Sequence, residues 1–276
     1  MAIKDILNLV DLNGNQPSTR VALDLARQCD AHLTGVSVAF DRLVQGFVAA
    51  EVPSEYIKHA REQSFDMTKK SLSNFDELAR KAGVKVETRM IEMVEGGNID
   101  PFLTHTRLTD LLVIGQEKPD STEPMRDQLI EAALFDSGVP MLLVPYAGHD
   151  SFSADHIMVA WDGSRTASRA VHAGLPILEL AKKVSIVIVE NGKKLAGEGG
   201  ADIATYLSRH GVKVAVQRIK KPPIGVADTL LNFIADEGVN LTVMGGYGHS
   251  RMREFILGGA TRGMLATMTV PVLMAH

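Results

Sequence analysis

The sequence has a single cysteine, Cys29, among its 276 residues, so no disulfide can form within the chain. It also lacks long runs of lysine and arginine, and its net charge of −4 provides no basic field for nucleic acid. No apolar run approaches the roughly 20 residues that cross a bilayer, and the first residues lack the apolar core of a secretory leader. We therefore expect a cytoplasmic protein that binds neither nucleic acid nor membranes.

Catalytic signatures are missing as well. The chain contains no G-x-x-x-x-G-K-[ST] loop, no G-x-G-x-x-G fingerprint and no G-x-S-x-G elbow, and its nine histidines are scattered without metal-ligand spacing. We expect no dedicated enzyme and at most slow ATP hydrolysis, because no residue is placed as a general base.

The chain is internally duplicated. Strand-like segments recur in the same order, at 6–11, 84–89, 110–115 and 139–144 and again at 157–162, 212–217, 240–245 and 270–275. A further strand at 33–38 or 184–189, and helical periodicity at 19–27 and 167–181, complete each repeat. This alternation predicts an α/β fold of two tandem, doubly wound, parallel five-stranded sheets. We place the domains at 1–146 and 155–276, with a small, polar linker between them.

The two halves differ in one long segment. The first half has a helical pattern over 52–81, where the second has 191–210, which begins in a glycine-rich stretch. The long helix either packs against the other half or caps or gates a ligand site.

A glycine loop near the end of the chain is the strongest candidate site. Gly245, Gly248 and Gly258 have the spacing G-x-x-G-x9-G between an apolar strand and a helix start. Glycines allow close approach of the backbone, and a helix start offers unpaired N–H groups to an anion. The pattern predicts a phosphate site, and the alternative is a tight turn followed by a helix start.

This spacing, with Gly-Gly-Tyr-Gly-His-Ser-Arg at 245–251 and Val-Pro-Val-Leu-Met at 270–274, resembles the tandem form of the universal stress protein family over nearly the whole chain. The resemblance implies the UspA type of adenine nucleotide alpha hydrolase-like fold, with the two repeats forming a pseudo-dimer. It implies a stress-response regulator that binds ATP or another adenine nucleotide, with or without Mg²⁺, in its C-terminal repeat as a conformational switch.

The resemblance also assigns site residues by position. Asp162 would lie beside the adenosine, the backbone of Ala160 and Val189 would line the adenine pocket, and Met244 and Gly245 would approach the ribose. The phosphates would be held by Tyr247, Gly248, Gly258, Gly259, Ala260 and Thr261.

Two of these positions and three loop residues between them need separate interpretation. Gly259 departs from the family pattern, which has Ser or Thr there, and the lost donor weakens ATP binding by about 1 kcal/mol. Asp162 either contacts the ribose or base or caps the helix that starts near Ser164. The residues His249, Ser250 and Arg251 either meet phosphates or a Mg²⁺-bound water or are solvated.

The first half lacks the loop. Residues 116–124 contain two prolines and two glutamates, which remove N–H donors and repel phosphate. We expect no phosphate site in residues 1–145, and Asp11 then serves turn or cap hydrogen bonds at a strand end.

A second function remains open, that of a nucleotide-free module for homodimerisation and protein interaction, and Gly259 favours it. The segment 269–274 resembles the family's pairing strand. Pro140 and Pro271, early in the last strand of each repeat, predict an edge position for those strands.

Overall fold

The computed structural model describes residues 2–12, 16–41, 54–118, 123–190, 200–220, 223–247 and 259–276. Strands and helices alternate through these ranges except where β5 is followed directly by β6, and each segment predicted to be a strand overlaps one. The strands are β1 Asp5–Leu9, β2 His32–Asp41, β3 Val86–Val94, β4 Leu111–Gly115, β5 Met141–Val144, β6 His156–Ala160, β7 Lys183–Glu190, β8 Val214–Lys220, β9 Leu241–Gly245 and β10 Val272–Ala275. The helices are α1 Pro17–Cys29, α2 Ser54–Ala82, α3 Asp100–Thr106, α4 Arg126–Asp136, α5 Arg165–Leu178, α6 Ala201–Arg209, α7 Val226–Glu237 and α8 Ala260–Thr267.

The chain divides into two compact units, Ile3–Val139 and one that contains Pro140–His276. The first unit has the strand order β3-β2-β1-β4, and the second has β5-β10-β9-β6-β7-β8. Neighbouring strands are parallel apart from β5 and β10, which pair antiparallel. The predicted fold class, a tandem α/β fold with doubly wound parallel sheets, is confirmed. The domain boundaries expected for the two repeats, 1–146 and 155–276, stay a prediction.

The last strand does not have the predicted edge position. β10 lies between β5 and β9, with Val272 opposite Leu143 on one side and opposite Thr242 on the other. Pro271 is tolerated because it precedes the strand, where its carbonyl accepts a hydrogen bond from the Thr242 N–H at 2.9 Å. The missing proline N–H therefore falls just outside the ladder.

Helix α2 packs on the sheet of its own unit. Phe75 is fully buried, and its ring lies so close to Gly35 of β2 that a Cβ there would be 2.6 Å from a ring carbon. The helix ends before Gly83, which has a φ of +69° and provides the left-handed turn expected at a helix end. A role for this helix in gating a ligand stays a prediction.

Candidate functional site

The carboxyl ends of β6, β7 and β9 lie side by side, because β6 pairs with β7 along one edge and with β9 along the other. Strand order reverses between β6 and β9, and open α/β sheets bind ligands at such a point. Ala160 at the end of β6 is opposite Met244 of β9. Ala160, Val189 and Gly245 are half-buried here, and Met244 is buried.

A polar turn joins β6 to α5. Asp162 is exposed, and its Oδ1 accepts a hydrogen bond from the Ser164 N–H at 2.9 Å. Ser164 is the N-cap of α5, because its Oγ accepts from the Ala167 N–H at 3.1 Å. The capping role that we considered for Asp162 thus belongs to Ser164, and Asp162 instead orders the turn before it. The hydroxyl of buried Thr166 lies 3.2 Å from that of Ser164.

The end of β9 touches the first turn of α5. A Cβ on Gly245 would lie 2.5 Å from the Ala167 nitrogen and 2.7 Å from the Thr166 hydroxyl. Position 245 therefore requires glycine for packing alone, and this contact brings the turn after β6 against the end of β9.

A hydrogen bond connects the two ends of the glycine loop, which are the residues after β9 and the start of α8. The Tyr247 N–H donates to the Oγ1 of Thr261 at 3.0 Å, and Thr261 is buried in the first turn of α8. Tyr247 has a φ of +46°, a left-handed conformation that costs a non-glycine residue about 1 kcal/mol or more. Gly259 is the N-cap of α8, and within the described ranges no side chain caps this helix start.

Four side chains of this region, Ser164, Thr166, Arg169 and His276, were not predicted to be part of the site. His276 follows β10, and its Nδ1 lies 3.0 Å from the Gly246 carbonyl oxygen. Arg169 of α5 donates to the His276 carbonyl oxygen at 2.6 Å. The pairing of β10 with β9 puts Ala275 opposite Gly245, so the next residue, His276, could have been expected beside Gly246.

Other predicted residues lie outside the described part of the chain, namely Gly248, His249, Ser250, Arg251 and Gly258. Among the described residues, no cluster of three or more His, Cys, Asp or Glu side chains is arranged to hold a metal ion.

Comparison with known proteins identifies the fold. No family model matches the chain. A curated universal stress protein of Synechocystis sp. is 28% identical over 126 residues, which are 42% of this chain and 41% of that protein. A universal stress protein from Archaeoglobus fulgidus has a TM-score of 0.72 at 18% identity, with 98% of this chain and 96% of that one covered. A functionally unknown protein from Pseudomonas aeruginosa has a TM-score of 0.60 at 16% identity, with 99% and 92% covered.

The chain has the fold of a tandem universal stress protein. The chain thus spans about two fifths of the length of the curated relative that it matches. None of the helices in the described ranges is long and apolar enough to span a membrane.

The first repeat of this universal stress protein fold has a different arrangement at the equivalent strand end. Asp11, two residues after β1, is buried, and its Oδ1 lies 3.3 Å from the Nη2 of Arg126 at the start of α4. Arg126 also pairs with Glu123, donating from Nε at 2.9 Å and from Nη2. The Ser18 hydroxyl donates to Asp11 at 2.9 Å. A guanidinium and two carboxylates therefore occupy the strand end, and the absence of a phosphate site from this repeat stays a prediction.

Burial shapes the ionisation of this cluster. Burial raises the pKa of Asp11, because desolvation outweighs the attraction of Arg126, and repulsion from Glu123 adds to the increase. Burial alone would lower the pKa of Arg126, but Glu123 and Asp11 raise it. The guanidinium therefore stays charged and serves as the counterion of both acids.

Proposed function

We propose that the C-terminal repeat of this universal stress protein fold binds ATP or another adenine nucleotide, and that the nucleotide acts as a regulatory conformational switch. The observation that carries the proposal is the 3.0 Å hydrogen bond from the Tyr247 N–H to Thr261. This bond holds the residues that follow β9, where the glycine loop begins, next to the start of α8, where the loop ends. Groups suited to phosphate thereby converge at the point where the strand order reverses.

The chemistry of the described residues suits the parts of a nucleotide. The start of α8, from Gly259 through Ala260 and Thr261, offers backbone N–H groups and the positive end of a helix dipole to phosphate. The Thr261 hydroxyl accepts from Tyr247 and keeps its own proton to donate. The exposed carboxylate of Asp162 can accept from ribose hydroxyls, and the backbone at Ala160 and Val189 can face the base.

A switch requires that the nucleotide prefer one conformation. Phosphates bound at both ends of the glycine loop would stabilise the left-handed conformation of Tyr247, which is costly without a ligand. The nucleotide would thereby change the surface near the end of β9, and a partner protein or second subunit would respond to that surface.

Isothermal titration calorimetry of nucleotide-stripped protein with ATP and Mg²⁺ tests the proposal directly. We expect saturable binding near one ATP per chain. No heat and no thermal shift at millimolar ATP would refute the proposal.

Substitutions in α8 test the site. Thr261→Val should weaken ATP binding about fivefold, because one hydrogen bond is worth about 1 kcal/mol. Thr267→Val on the same helix is the matched control, since its exposed hydroxyl bonds only the Gly263 carbonyl within the described ranges. Equal effects of the two substitutions would exclude a role for Thr261 in the site.

A nucleotide-free interaction module is the second candidate, and the hydroxyl-free Gly259 at the N-cap of α8 favours it. Gly259→Ser should tighten ATP binding several-fold if the site is a nucleotide site. If neither wild type nor Gly259→Ser binds ATP, homodimerisation measured by analytical ultracentrifugation becomes the test of the module.

A further inference from the structure

One peptide at the start of the glycine loop is held at both of its polar atoms. This peptide joins Gly246 to Tyr247, directly after β9. Its carbonyl oxygen lies 3.0 Å from the Nδ1 of His276, and its N–H donates to the Oγ1 of Thr261 at 3.0 Å. Gly246 and Thr261 are buried, and a buried peptide that lost either partner would have an unsatisfied polar atom. Two side chains therefore determine the orientation of this peptide.

The bond from His276 also fixes the position of a proton. A carbonyl oxygen can only accept a hydrogen bond, so the Nδ1 of His276 is the donor. In the neutral imidazole the proton then resides on Nδ1, and Nε2 has the lone pair. This arrangement of the proton can be measured without any ligand.

The position of the His276 ring follows from the backbone around it. Ala275, the last residue of β10, is opposite Gly245 and accepts a hydrogen bond from the Gly246 N–H at 3.0 Å. The carbonyl oxygen of His276 accepts from the Nη1 of Arg169 in α5 at 2.6 Å. Strand β10 and helix α5 therefore hold His276 beside the start of the loop.

The conformation of Tyr247 depends on the same peptide. Its φ of +46° is left-handed, which is costly for a residue other than glycine. Rotation of the Gly246–Tyr247 peptide changes the ψ of Gly246 and the φ of Tyr247 together. The bonds to His276 and Thr261 therefore also determine the direction in which the chain leaves β9.

We propose that His276 is a positioning residue of the nucleotide site, whose Nδ1–H holds the Gly246–Tyr247 peptide in the orientation that phosphate binding requires. This inference rests on the proposed function. Thr261 contacts the peptide and is assigned to the phosphates, whereas His276 acts through the peptide alone. Without the Nδ1–H the peptide is free to rotate, and the nucleotide must order it again on binding. The affinity for ATP then falls although the fold of the repeat is retained.

NMR of the nucleotide-free full chain tests the bond itself. At about pH 8.5, where an ordinary imidazole is neutral, the nitrogen spectrum of His276 should show the ring proton on Nδ1. The scalar coupling between the amide and α protons of Tyr247 reports its φ, and this coupling should change in His276→Ala. A ring proton on Nε2, or a Tyr247 coupling that His276→Ala leaves unchanged, overturns the proposal.

Two amide variants show whether the donor itself matters. His276→Asn places an N–H donor the same number of bonds from the backbone as Nδ1, so it should restore the wild-type coupling of Tyr247. His276→Gln places its amide one bond further away and should not restore it. Equal couplings in the Ala and Asn variants would contradict a role for the donor.

ATP titration of the same variants tests the effect on the site. His276→Ala should weaken ATP binding about fivefold, the effect of one hydrogen bond, and His276→Asn should bind like the wild type. His210→Ala is the matched control and should leave the affinity unchanged. His210 is an exposed histidine of the same unit, and its ring centroid lies 4.8 Å from that of Tyr206.

The outcomes separate this inference from the proposed function. A wild type that binds no ATP refutes the proposed function, and with it the role of His276 in a nucleotide site. Equal ATP affinities of the wild type and His276→Ala overturn the inference alone. Equal weakening in His276→Ala and His276→Asn does so too, because the Nδ1–H would then have no part in positioning the loop.

Discussion

Replacing Gly245 by alanine should destabilise the second unit through a backbone clash. The new Cβ would lie 2.5 Å from the Ala167 nitrogen, 2.6 Å from the Thr166 carbonyl carbon and 2.7 Å from its hydroxyl. Favourable carbon contacts lie at about 3.5–4.0 Å, so β9 and the first turn of α5 must separate by about 1 Å. Two of the three atoms are backbone atoms of a turn fixed by Ser164. Overpacking of this kind costs about 1–3 kcal/mol, and the melting temperature should fall by roughly 3–10 °C.

Gly174→Ala is the matched control for this prediction, and differential scanning calorimetry is the assay. Gly174 lies inside α5, and a Cβ there would meet Leu273 and Val243 methyl groups at 3.4 Å, an ordinary contact. Alanine is better than glycine in a helix by about 1 kcal/mol, so this variant should melt at or above the wild-type temperature. The same substitution thus has opposite effects at two positions. A Gly245→Ala protein that melts with the wild type would refute the packing argument.

Two further predictions concern the first repeat. Arg126→Met should cost about 3–5 kcal/mol of unfolding free energy, because it leaves the buried Asp11 and the half-buried Glu123 without their counterion. Urea unfolding and hydrogen exchange of α4 measure this cost, and a value below about 1 kcal/mol would contradict the pairing. Burial, followed by the neighbouring carboxyl group of Asp127, raises the pKa of Glu117 to about 7. The stability contributed by its protonated form should therefore be present below the unfolded pKa of 4.5 and lost as the pH rises through about 7. Urea midpoints of wild type and Glu117→Gln, compared across that interval, should therefore diverge, and parallel pH profiles would argue against a proton held by the fold.

The sequence predicts the strands and their order well, because continuous β-branched runs and the duplication are local signals. It also predicts the neighbouring strand ends that position Asp162 and Gly245, since parallel strands of a doubly wound sheet end on one edge. The position of β10 was predicted wrongly, because Pro271 was taken as part of the strand. Pro271 lies one residue before β10, so its missing N–H does not conflict with a position of this strand inside the sheet.

Long-range side-chain pairing could not be predicted in the same way. The acidic stretch after Gly115 predicts repulsion of phosphate, but it contains no indication that Arg126 pairs with Asp11 across more than a hundred residues of sequence. The contact of Gly245 with Thr166 was equally hidden, because a glycine required by packing and a glycine required by a ligand look the same in a sequence.

Asp11 and Asp162 show how one fold can give two different sites. Each lies two residues after the first strand of its repeat. Asp11 is buried, and a buried carboxylate is costly unless it is paired, so Arg126 and Ser18 fill the space around it. Asp162 is exposed and makes one hydrogen bond to the turn that follows, so its second oxygen needs no protein partner.

This difference in burial changes the charges that a ligand would meet in each repeat. A phosphate entering the first repeat would have to compete with Asp11 and Glu123 for Arg126, beside the carboxyl groups of Glu117 and Asp127. A proton meets no such competition, because those same carboxyl groups favour it. In the second repeat the described strand ends hold two carboxylates, exposed Asp162 and half-buried Glu190, and the helix start offers N–H groups. The charges at the first strand end therefore favour the uptake of a proton over the binding of a phosphate.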